Sequence, residues 1–407
     1  GFFLSLLSKE TAVIFPVTAL AIDLLNRGPG RRVNILRYAV YACVLVIFFY
    51  LRGRTYINVP ELSSVRISGG MTASEGVSWI AGALGVVKVM LASYFYYYTK
   101  LVFPFTFNAF TESAPDGLRY IFFAVLIFGL TALGVLCSIK KRNNVSAFAL
   151  LWIPVTLFPS VLISLTDIPS ASVAERYLYI PSAGFCLLLG CIFSRPRSGV
   201  GNGRASTAAA FLLAASYLFF TVDRQAVWKD SLSLWEDTTR KSPGSAIPRI
   251  NYGIALLDAG KEDEALKELL RNFEKGVKIN DKGRSVTANN IGVVYINKKD
   301  IRNAEKWFLK AYGYDPGYYK SSYHLGLVNY LKGKSGGSRE DFLASEGHTK
   351  NALRMRPYYG KAYLLLAMVY AELGDGEKSR ENARLAIESG LTDSLAEKAR
   401  KIMKTPD

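Results

Sequence analysis

Residues 285–316 read SVTANNIGVVYINKKDIRNAEKWFLKAYGYDP, and small, aromatic and proline residues recur there at spacings typical of a two-helix repeat. These positions are Gly292, Tyr295, Ala304, Phe308, Ala311 and Pro316. Small residues let the first helix approach the second, and large residues fill space against the next repeat. The stretch therefore predicts a pair of packed helices with neighbours of the same kind.

Related patterns surround this stretch at a period close to 34 residues, which is the tetratricopeptide (TPR) value. The matching residues are Gly253, Gly260 and Ala265 before it, and Gly326, Ala352, Pro357, Tyr363, Ala367, Tyr370, Gly374, Ala383 and Ala386 after it. The third repeat fits if about seven residues, KSGGSRE, are inserted between its helices. About four repeats exceed the roughly three that a continuous core needs. Residues 246–407 are therefore predicted to form a TPR α-solenoid.

Stacked repeats of this kind form a concave groove that suits an extended peptide or a partner protein. We therefore expect a protein or peptide partner in the groove. The alternative is a platform that only packs against the rest of the chain.

The first 222 residues have a different composition. Residues 1–222 hold 18 Lys and Arg and 8 Asp and Glu, whereas residues 223–407 hold 32 and 25. An apolar, charge-poor part before a charge-rich part is typical of a membrane domain followed by a water-exposed one. Six apolar segments are candidate spans, at about 11–26, 34–51, 118–139, 144–164, 178–194 and 206–222. Residues 223–245 are predicted to form a connecting amphipathic helix.

Residues 77–103 carry two lysines and a run of tyrosines, and the loop charges indicate how this segment lies. The arginines after the first span, the basic loop 140–142 and the arginines of 195–204 share one side only if 77–103 makes no net crossing. An interfacial helix is therefore expected there. The positive-inside rule makes the arginine-rich side cytoplasmic and places the 165–177 loop and the repeats on the other side.

The net charge of +17 does not indicate a nucleic-acid partner. Most of the excess lies in short loops of the membrane part, and the remainder alternates with acidic residues. The four cysteines lie in apolar segments, so small buried side chains are expected rather than disulfides. The two histidines, His324 and His348, both lie in the repeats. No metal site is expected, and a divalent metal has no support in the sequence.

Two charged pairs, Lys9-Glu10 and Glu175-Arg176, stand at the edges of apolar segments. Such charges are costly against lipid, so they are expected to face a cavity or each other. The second pair precedes Tyr177 and Tyr179, and an interfacial anchor is an alternative explanation for that group. A snorkelling lysine is the alternative for Lys9.

The order of these features resembles the transmembrane and TPR repeat-containing (TMTC-like) family of O-mannosyltransferases, which are GT-C membrane glycosyltransferases. The matching stretches are LLSKETAVIFPVTALAIDLL (6–25), LVFPF (101–105), LWIPVTLFPSVL (151–162), AERYLYIPSAGF (174–185) and RQAVWKDSLSLWED (224–237). The resemblance implies an all-α fold: a multi-span, GT-C-like domain followed by a TPR α-solenoid. The chain begins at a glycine inside an apolar run, so we expect the membrane domain to be N-terminally incomplete.

The resemblance also implies an activity. A sugar would move from a dolichyl- or undecaprenyl-phosphate carrier to a protein acceptor, in the endoplasmic reticulum or the bacterial inner membrane, with the repeats on the lumenal or periplasmic side. The family's catalytic acid, an Asp in the first non-cytoplasmic loop, would lie upstream of residue 1, so no catalytic residue is assigned. Asp116 and Asp167 lie on the expected side but lack a motif, and turn or cap roles are expected for both.

The charged pairs then gain specific roles. Arg176 and Lys9 are the expected ligands of the donor phosphate, since a fixed cation stabilises a leaving phosphate and a guanidinium can bind its oxygens bidentately. Glu175 and Glu10 would orient these cations or contact sugar or acceptor hydroxyls. Tyr177 and Tyr179 would donate hydrogen bonds or stack on the sugar.

Two other functions remain open at this point. One is a membrane-anchored TPR scaffold for envelope or secretion assembly. The other is a lipid-linked oligosaccharide ligase, which the arginines of the 52–76 loop, Arg52, Arg54 and Arg66, would favour.

Overall fold

The computed structural model describes residues 1–8, 10–25, 34–57, 79–105, 107–111, 117–163, 165, 173–194, 200–336 and 338–404. At residues 10, 52–57, 79–83, 200–203 and 393 it describes the backbone only. Within these ranges the chain forms eighteen α-helices and two isolated β-bridges. The predicted all-α fold is confirmed. The chain divides into two compact units, Gly1–Lys229 and Asp230–Asp407.

The first unit contains eight α-helices among the residues that the structure describes. They are α1 (Phe2–Ser8), α2 (Phe15–Leu25), α3 (Ile35–Ile57), α4 (Trp79–Val102), α5 (Leu118–Lys140), α6 (Asn144–Ile163), α7 (Tyr179–Phe193) and α8 (Val200–Val227). Two 3₁₀ turns, Glu10–Ile14 and Glu175–Leu178, lead into α2 and α7.

Four helical segments of the described chain are long and apolar enough to cross a membrane. They are Leu118–Lys140, Asn144–Ile163, Glu175–Phe193 and Arg204–Val227. Thr11–Leu25 and Ile35–Leu51 are apolar but shorter. The membrane character of this unit is confirmed, while the number of spans stays a prediction.

The tyrosine-rich segment 77–103 contributes the core of the first unit. Tyr97 of α4 is fully buried, and Tyr94 and Leu101 lie one turn to either side of it on the same helix face. This face packs against α6 and against Val173 and Leu178. The tyrosines therefore pack inside the unit, and whether α4 crosses the membrane stays a prediction.

Helices α6 and α7 pack closely because a glycine faces a tryptophan. A Cβ atom on Gly184 would lie 2.5 Å from Cδ1 of Trp152, so a larger residue does not fit there. The indole Nε1 of Trp152 donates a hydrogen bond to the carbonyl oxygen of Ile180 at 2.9 Å. This contact fixes the first turn of α7 against α6, immediately after the Glu175–Leu178 turn.

The second unit is a series of helix pairs. They are α9 (Ser231–Lys241), then α10 (Ala246–Asp258) with α11 (Glu262–Leu270), α12 (Asp281–Asn297) with α13 (Ile301–Tyr314), α14 (Tyr319–Gly336) with α15 (Arg339–Met355), α16 (Gly360–Leu373) with α17 (Gly376–Glu388), and α18 (Asp393–Met403). The stretch 223–245, predicted as one connecting helix, is divided between the end of α8 and α9. Asp230 caps α9, because its carboxylate accepts a hydrogen bond from the backbone N–H of Ser233 at 2.8 Å.

The repeats pack as their small and large residues predict. A Cβ on Gly292 of α12 would lie 2.5 Å from Cε1 of Phe308 of α13, and Phe308 is fully buried. A Cβ on Gly253 would similarly meet Leu269 at 2.6 Å. Five of the seven extra residues of the third repeat, 334–336 and 339–340, lengthen its helices: α14 has 18 residues and α15 has 17, against 14 and 13 for α16 and α17.

Candidate functional site

The backbone that leads into the AERYLY motif is fixed by contacts with distant residues. The N–H of Thr111 donates to the carbonyl oxygen of Val173 at 2.9 Å, forming an isolated antiparallel bridge. The N–H of Ala174 donates to the hydroxyl of Tyr97 at 3.4 Å. Val173 and Ala174 are each only 1% exposed. The backbone that enters the Glu175–Leu178 turn is therefore buried and held by hydrogen bonds.

Glu175 is the most strongly bonded charged residue of this segment. Its carboxylate accepts hydrogen bonds from Nη2 of Arg224 at 2.6 Å and from Nε at 2.9 Å, and the indole Nε1 of Trp228 donates to it at 2.7 Å. The side chain of Glu175 is 8% exposed and that of Arg224 is 12% exposed. A paired carboxylate with this many donors is a strong, geometrically specific contact. It joins the start of α7 to the end of α8.

Arg176 lies on the exposed side of the same turn. Its guanidinium carbon lies 4.9 Å from the centre of the Tyr177 ring, and Nη2 donates to the hydroxyl of Tyr177 at 3.3 Å. A cation at this distance over an aromatic face is attracted to it. The half-buried Tyr177 ring therefore supports an exposed guanidinium, which suits binding of an anion from outside.

Tyr179 begins α7 and is 86% exposed. Tyr177 is half-buried beneath Arg176. Of the two predicted sugar contacts, Tyr179 is thus the more accessible, and Tyr177 also supports the arginine.

Only some of the predicted site residues lie in the part of the chain that the structure describes. Lys9, Asp116 and Asp167 lie outside the described residues, and for Glu10 only the backbone is described. Their expected roles stay predictions. In the described part of the chain, no group of three His, Cys, Asp or Glu side chains is placed to hold a metal ion.

Sequence reasoning missed the partner of Glu175. It assigned this carboxylate to Arg176 or to a substrate hydroxyl, whereas the structure pairs it with Arg224 and Trp228. One signal was available. Arg224 and Trp228 are four residues apart in RQAVW, a spacing that places two side chains on one helix face.

An apolar groove of about 510 Å³ lies near this segment in the first unit. Its lining comes from the first 3₁₀ turn and from α2, α3, α4 and α6, and it includes Phe48, Phe158 and Leu162. Tyr94 lines the groove and also belongs to the core cluster that contains Val173.

Apolar membrane-type helices followed by stacked helix pairs define a membrane protein that carries tetratricopeptide repeats. The tetratricopeptide repeat family model matches residues 287–318 and 360–389. The membrane nature and the repeats predicted from sequence are both confirmed.

Relatives with the same combination carry more specific names. A Caenorhabditis elegans protein O-mannosyl-transferase is 34% identical over 38% of this chain and 21% of its own length. Protein O-mannosyl-transferase Tmtc3 of Drosophila melanogaster is 32% identical over 34% of this chain and 15% of its own length. Mouse protein O-mannosyl-transferase TMTC3 is 23% identical over 68% of this chain and 30% of its own length. The resemblance to the TMTC-like family is confirmed, and the chain spans less than a third of each of these relatives.

Solved repeat structures are also similar to the chain. MamA is 14% identical with a TM-score of 0.32 and covers 41% of this chain and 85% of its own. PilW, a type IV pilus biogenesis factor, is 15% identical with a TM-score of 0.34 and covers 48% and 90%. Both scores are below 0.5.

Proposed function

We propose that this chain is part of a membrane glycosyltransferase that moves a sugar, mannose by analogy with its relatives, from a polyprenyl-phosphate carrier to a protein. The repeats recruit the acceptor protein, and the reaction takes place on the lumenal or periplasmic side. The observation that carries the proposal is the exposed guanidinium of Arg176, supported by Tyr177 on a segment anchored through Glu175 and Arg224. The names of the relatives support the reaction class.

In this reaction an acceptor hydroxyl oxygen attacks C1 of the sugar while the bond between C1 and the phosphate oxygen breaks. The polyprenyl phosphate leaves with the bonding electrons, and the hydroxyl proton passes to a base that is not assigned in this chain. Negative charge therefore grows on the phosphate in the transition state. A preorganised cation such as Arg176 stabilises that charge at no further cost of rearrangement.

The apolar groove supports the lipid part of the proposal. A polyprenyl chain is a branched hydrocarbon, and it matches a groove lined by phenylalanine, leucine and valine side chains. The hydrocarbon would lie in the groove while the phosphate reaches the headgroup level. Exposed Tyr179 would then contact the sugar.

The test is replacement of Arg176 by Ala in the full-length protein. Removing a preorganised donor of this type lowers turnover about 10²–10³-fold, and Arg176→Lys should restore part of the activity by keeping the charge. Transfer of labelled mannose from a polyprenyl-phosphate donor to protein is the measurement.

Arg119 provides a matched control. It is also an exposed arginine over a tyrosine, 4.7 Å from the Tyr120 ring centre, with Nη2 donating to the Tyr120 hydroxyl at 2.8 Å. Arg119→Ala should leave transfer unchanged. Equal rates in the wild type and Arg176→Ala, or equal losses in both alanine variants, would contradict the role of Arg176.

A further inference from the structure

Four tyrosines of the third and fourth repeats form one continuous aromatic cluster. The ring centres of Tyr318 and Tyr319 are 6.0 Å apart, those of Tyr319 and Tyr359 are 5.0 Å apart, and those of Tyr359 and Tyr323 are 5.1 Å apart. The last two contacts are edge-to-face, a favourable arrangement for aromatic rings. The first turn of α14 and the residue before α16 are thereby locked together. Tyr319 is buried, with 7% of its surface exposed, whereas Tyr318, Tyr323 and Tyr359 are partly exposed.

Three exposed cations flank this cluster: Lys320, Arg356 and Lys361. The guanidinium of Arg356 lies 4.9 Å from the ring centre of Tyr319, and its Nη1 donates to the Tyr319 hydroxyl at 2.6 Å. Lys320 and Lys361 come from different repeats, yet the charges of both act on the ring of His324. Both ammonium groups therefore lie in the neighbourhood of His324.

Cations act on two of the rings in this region, His324 and Tyr359. Burial and the charges of Lys320 and Lys361 lower the pKa of His324 to about 3, so its ring is neutral. Arg356 is the cation that acts on Tyr359, and the other groups that act on that hydroxyl are tyrosines.

From this arrangement we propose that the surface formed by Lys320, Tyr323, Arg356, Tyr359 and Lys361, with Tyr319 buried beneath it, binds an acidic segment of a partner protein. Carboxylates of the segment pair with the two lysines and Arg356, and its backbone and apolar atoms contact the partly exposed edges of Tyr323 and Tyr359. Charge complementarity sets both the specificity and the rate of such an encounter, and side chains that already pack against one another lower the ordering cost of binding.

Other anionic partners fit less well. The rings of Tyr319, Tyr323 and Tyr359 cover one another edge to face, so they do not present the open faces on which nucleic-acid bases stack. The repeats also interleave 25 acidic with 32 basic residues from 223 onward, which disfavours binding to a long polyanion. A short acidic peptide needs only the local cations.

This inference deepens the recruitment step of the proposed function, because an acidic segment would identify the class of acceptor. Binding is measured separately from sugar transfer, so the two ideas fail independently. Loss of transfer in Arg176→Ala with unchanged peptide binding would leave the surface intact. Transfer that works while the peptide does not bind would overturn only the surface.

The experiment uses the full chain in detergent micelles and a fluorescein-labelled decapeptide of alternating Glu and Ala, with fluorescence anisotropy as the readout. The double variant Lys320→Gln/Lys361→Gln should weaken binding at least tenfold. The Gln/Ala version of the peptide should bind the wild type at least tenfold more weakly than the acidic peptide. Both substituted lysines are exposed, so helicity measured by circular dichroism should not change.

Lys267→Gln/Lys275→Gln is the matched control, because it also removes two positive charges, but from exposed positions of the first repeat. It should change binding less than twofold. Equal losses of peptide affinity in the two double variants would show that only the net charge matters, and would overturn the proposal. The proposal is also overturned if a single-stranded oligonucleotide or an anionic vesicle loses affinity in Lys320→Gln/Lys361→Gln while the acidic peptide does not.

Discussion

Nη2 of Arg224 lies 2.6 Å from Oε1 of Glu175, although the two residues are 49 positions apart in the chain. Both side chains are almost fully buried, and Trp228 donates a third hydrogen bond to the same carboxylate. The pair fastens the end of α8 to the turn that presents Arg176. Arg224 is thus a positioning residue for the exposed guanidinium.

Replacing Arg224 by Ala should destabilise the first unit by about 3–5 kcal/mol, because a buried carboxylate is left without its cation. The double variant Glu175→Ala/Arg224→Ala should cost less than the sum of the two single changes. Thermal unfolding of the detergent-solubilised chain measures both effects.

A second ion pair in the same unit serves as the control. Asp23 and Arg37 are 3.1 Å apart, but their side chains are 32% and 48% exposed. Breaking this pair should cost less than about 1 kcal/mol. If Arg37→Ala lowers the stability of the first unit as much as Arg224→Ala does, burial does not explain the contribution of the Glu175–Arg224 pair.

Two buried tyrosines of α4 make different hydrogen bonds. Replacing each one in turn therefore distinguishes anchoring of the AERYLY motif from general packing of the core. The Tyr97 hydroxyl accepts from the N–H of Ala174, whereas the Tyr94 hydroxyl donates to the carbonyl oxygen of Pro154 at 3.0 Å. Tyr97→Phe leaves a buried N–H without its acceptor, at a cost of about 1–3 kcal/mol. Hydrogen exchange should show faster exchange of the Ala174 amide in Tyr97→Phe and unchanged exchange in Tyr94→Phe. Equal protection in both variants would rule out this anchoring role.

The repeats could be predicted from sequence because their signal is local. Gly292 and Phe308 are 16 residues apart in one helix pair, and the same alternation of small and large residues returns in the next pair. The insertion KSGGSRE was expected between helices, but its first three residues continue α14 and its last two begin α15.

The candidate site was predictable only in part. The sequence marked Glu175 and Arg176 because charges are rare at the edge of an apolar segment. It did not reveal Arg224 as the partner, because a contact over 49 residues depends on how α7 and α8 pack. The tyrosines of α4 resembled an interfacial face, and only their packing on α6 shows Tyr97 in the core.

The close approach of α12 and α13 depends on Gly292. Replacing it by Ala pushes a Cβ to within 2.5 Å of the buried Phe308 ring, and such overpacking costs about 1–3 kcal/mol. Gly347 in the middle of α15 is different, because a Cβ added there would meet no atom within 4 Å. Gly347→Ala should therefore stabilise the helix by up to about 1 kcal/mol. Urea unfolding followed by proteolysis of the solenoid measures both changes, and similar effects of the two substitutions would contradict the close-contact explanation.

His324 gives the solenoid a specific dependence on pH. Its Nδ1 lies 2.7 Å from Oδ1 of Asn289, and burial, with the charges of Lys320 and Lys361, lowers its pKa to about 3, from an ordinary value of 6.5. Between these two values the unfolded chain binds a proton that the folded chain excludes. The free energy of unfolding should therefore fall as pH drops below about 6.5, by up to about 1.4 kcal/mol per pH unit.

The His324→Gln variant isolates this contribution. Urea unfolding between pH 7 and 5, read by proteolysis and mass spectrometry of fragments from 281–336, should show a smaller loss of stability than in the wild type. His348 is the comparison: burial also lowers its pKa, but the charge of Glu305 opposes that shift, so His348→Gln should remove less of the slope. An unchanged slope in His324→Gln would mean that the imidazole is already accessible to protons in the folded solenoid.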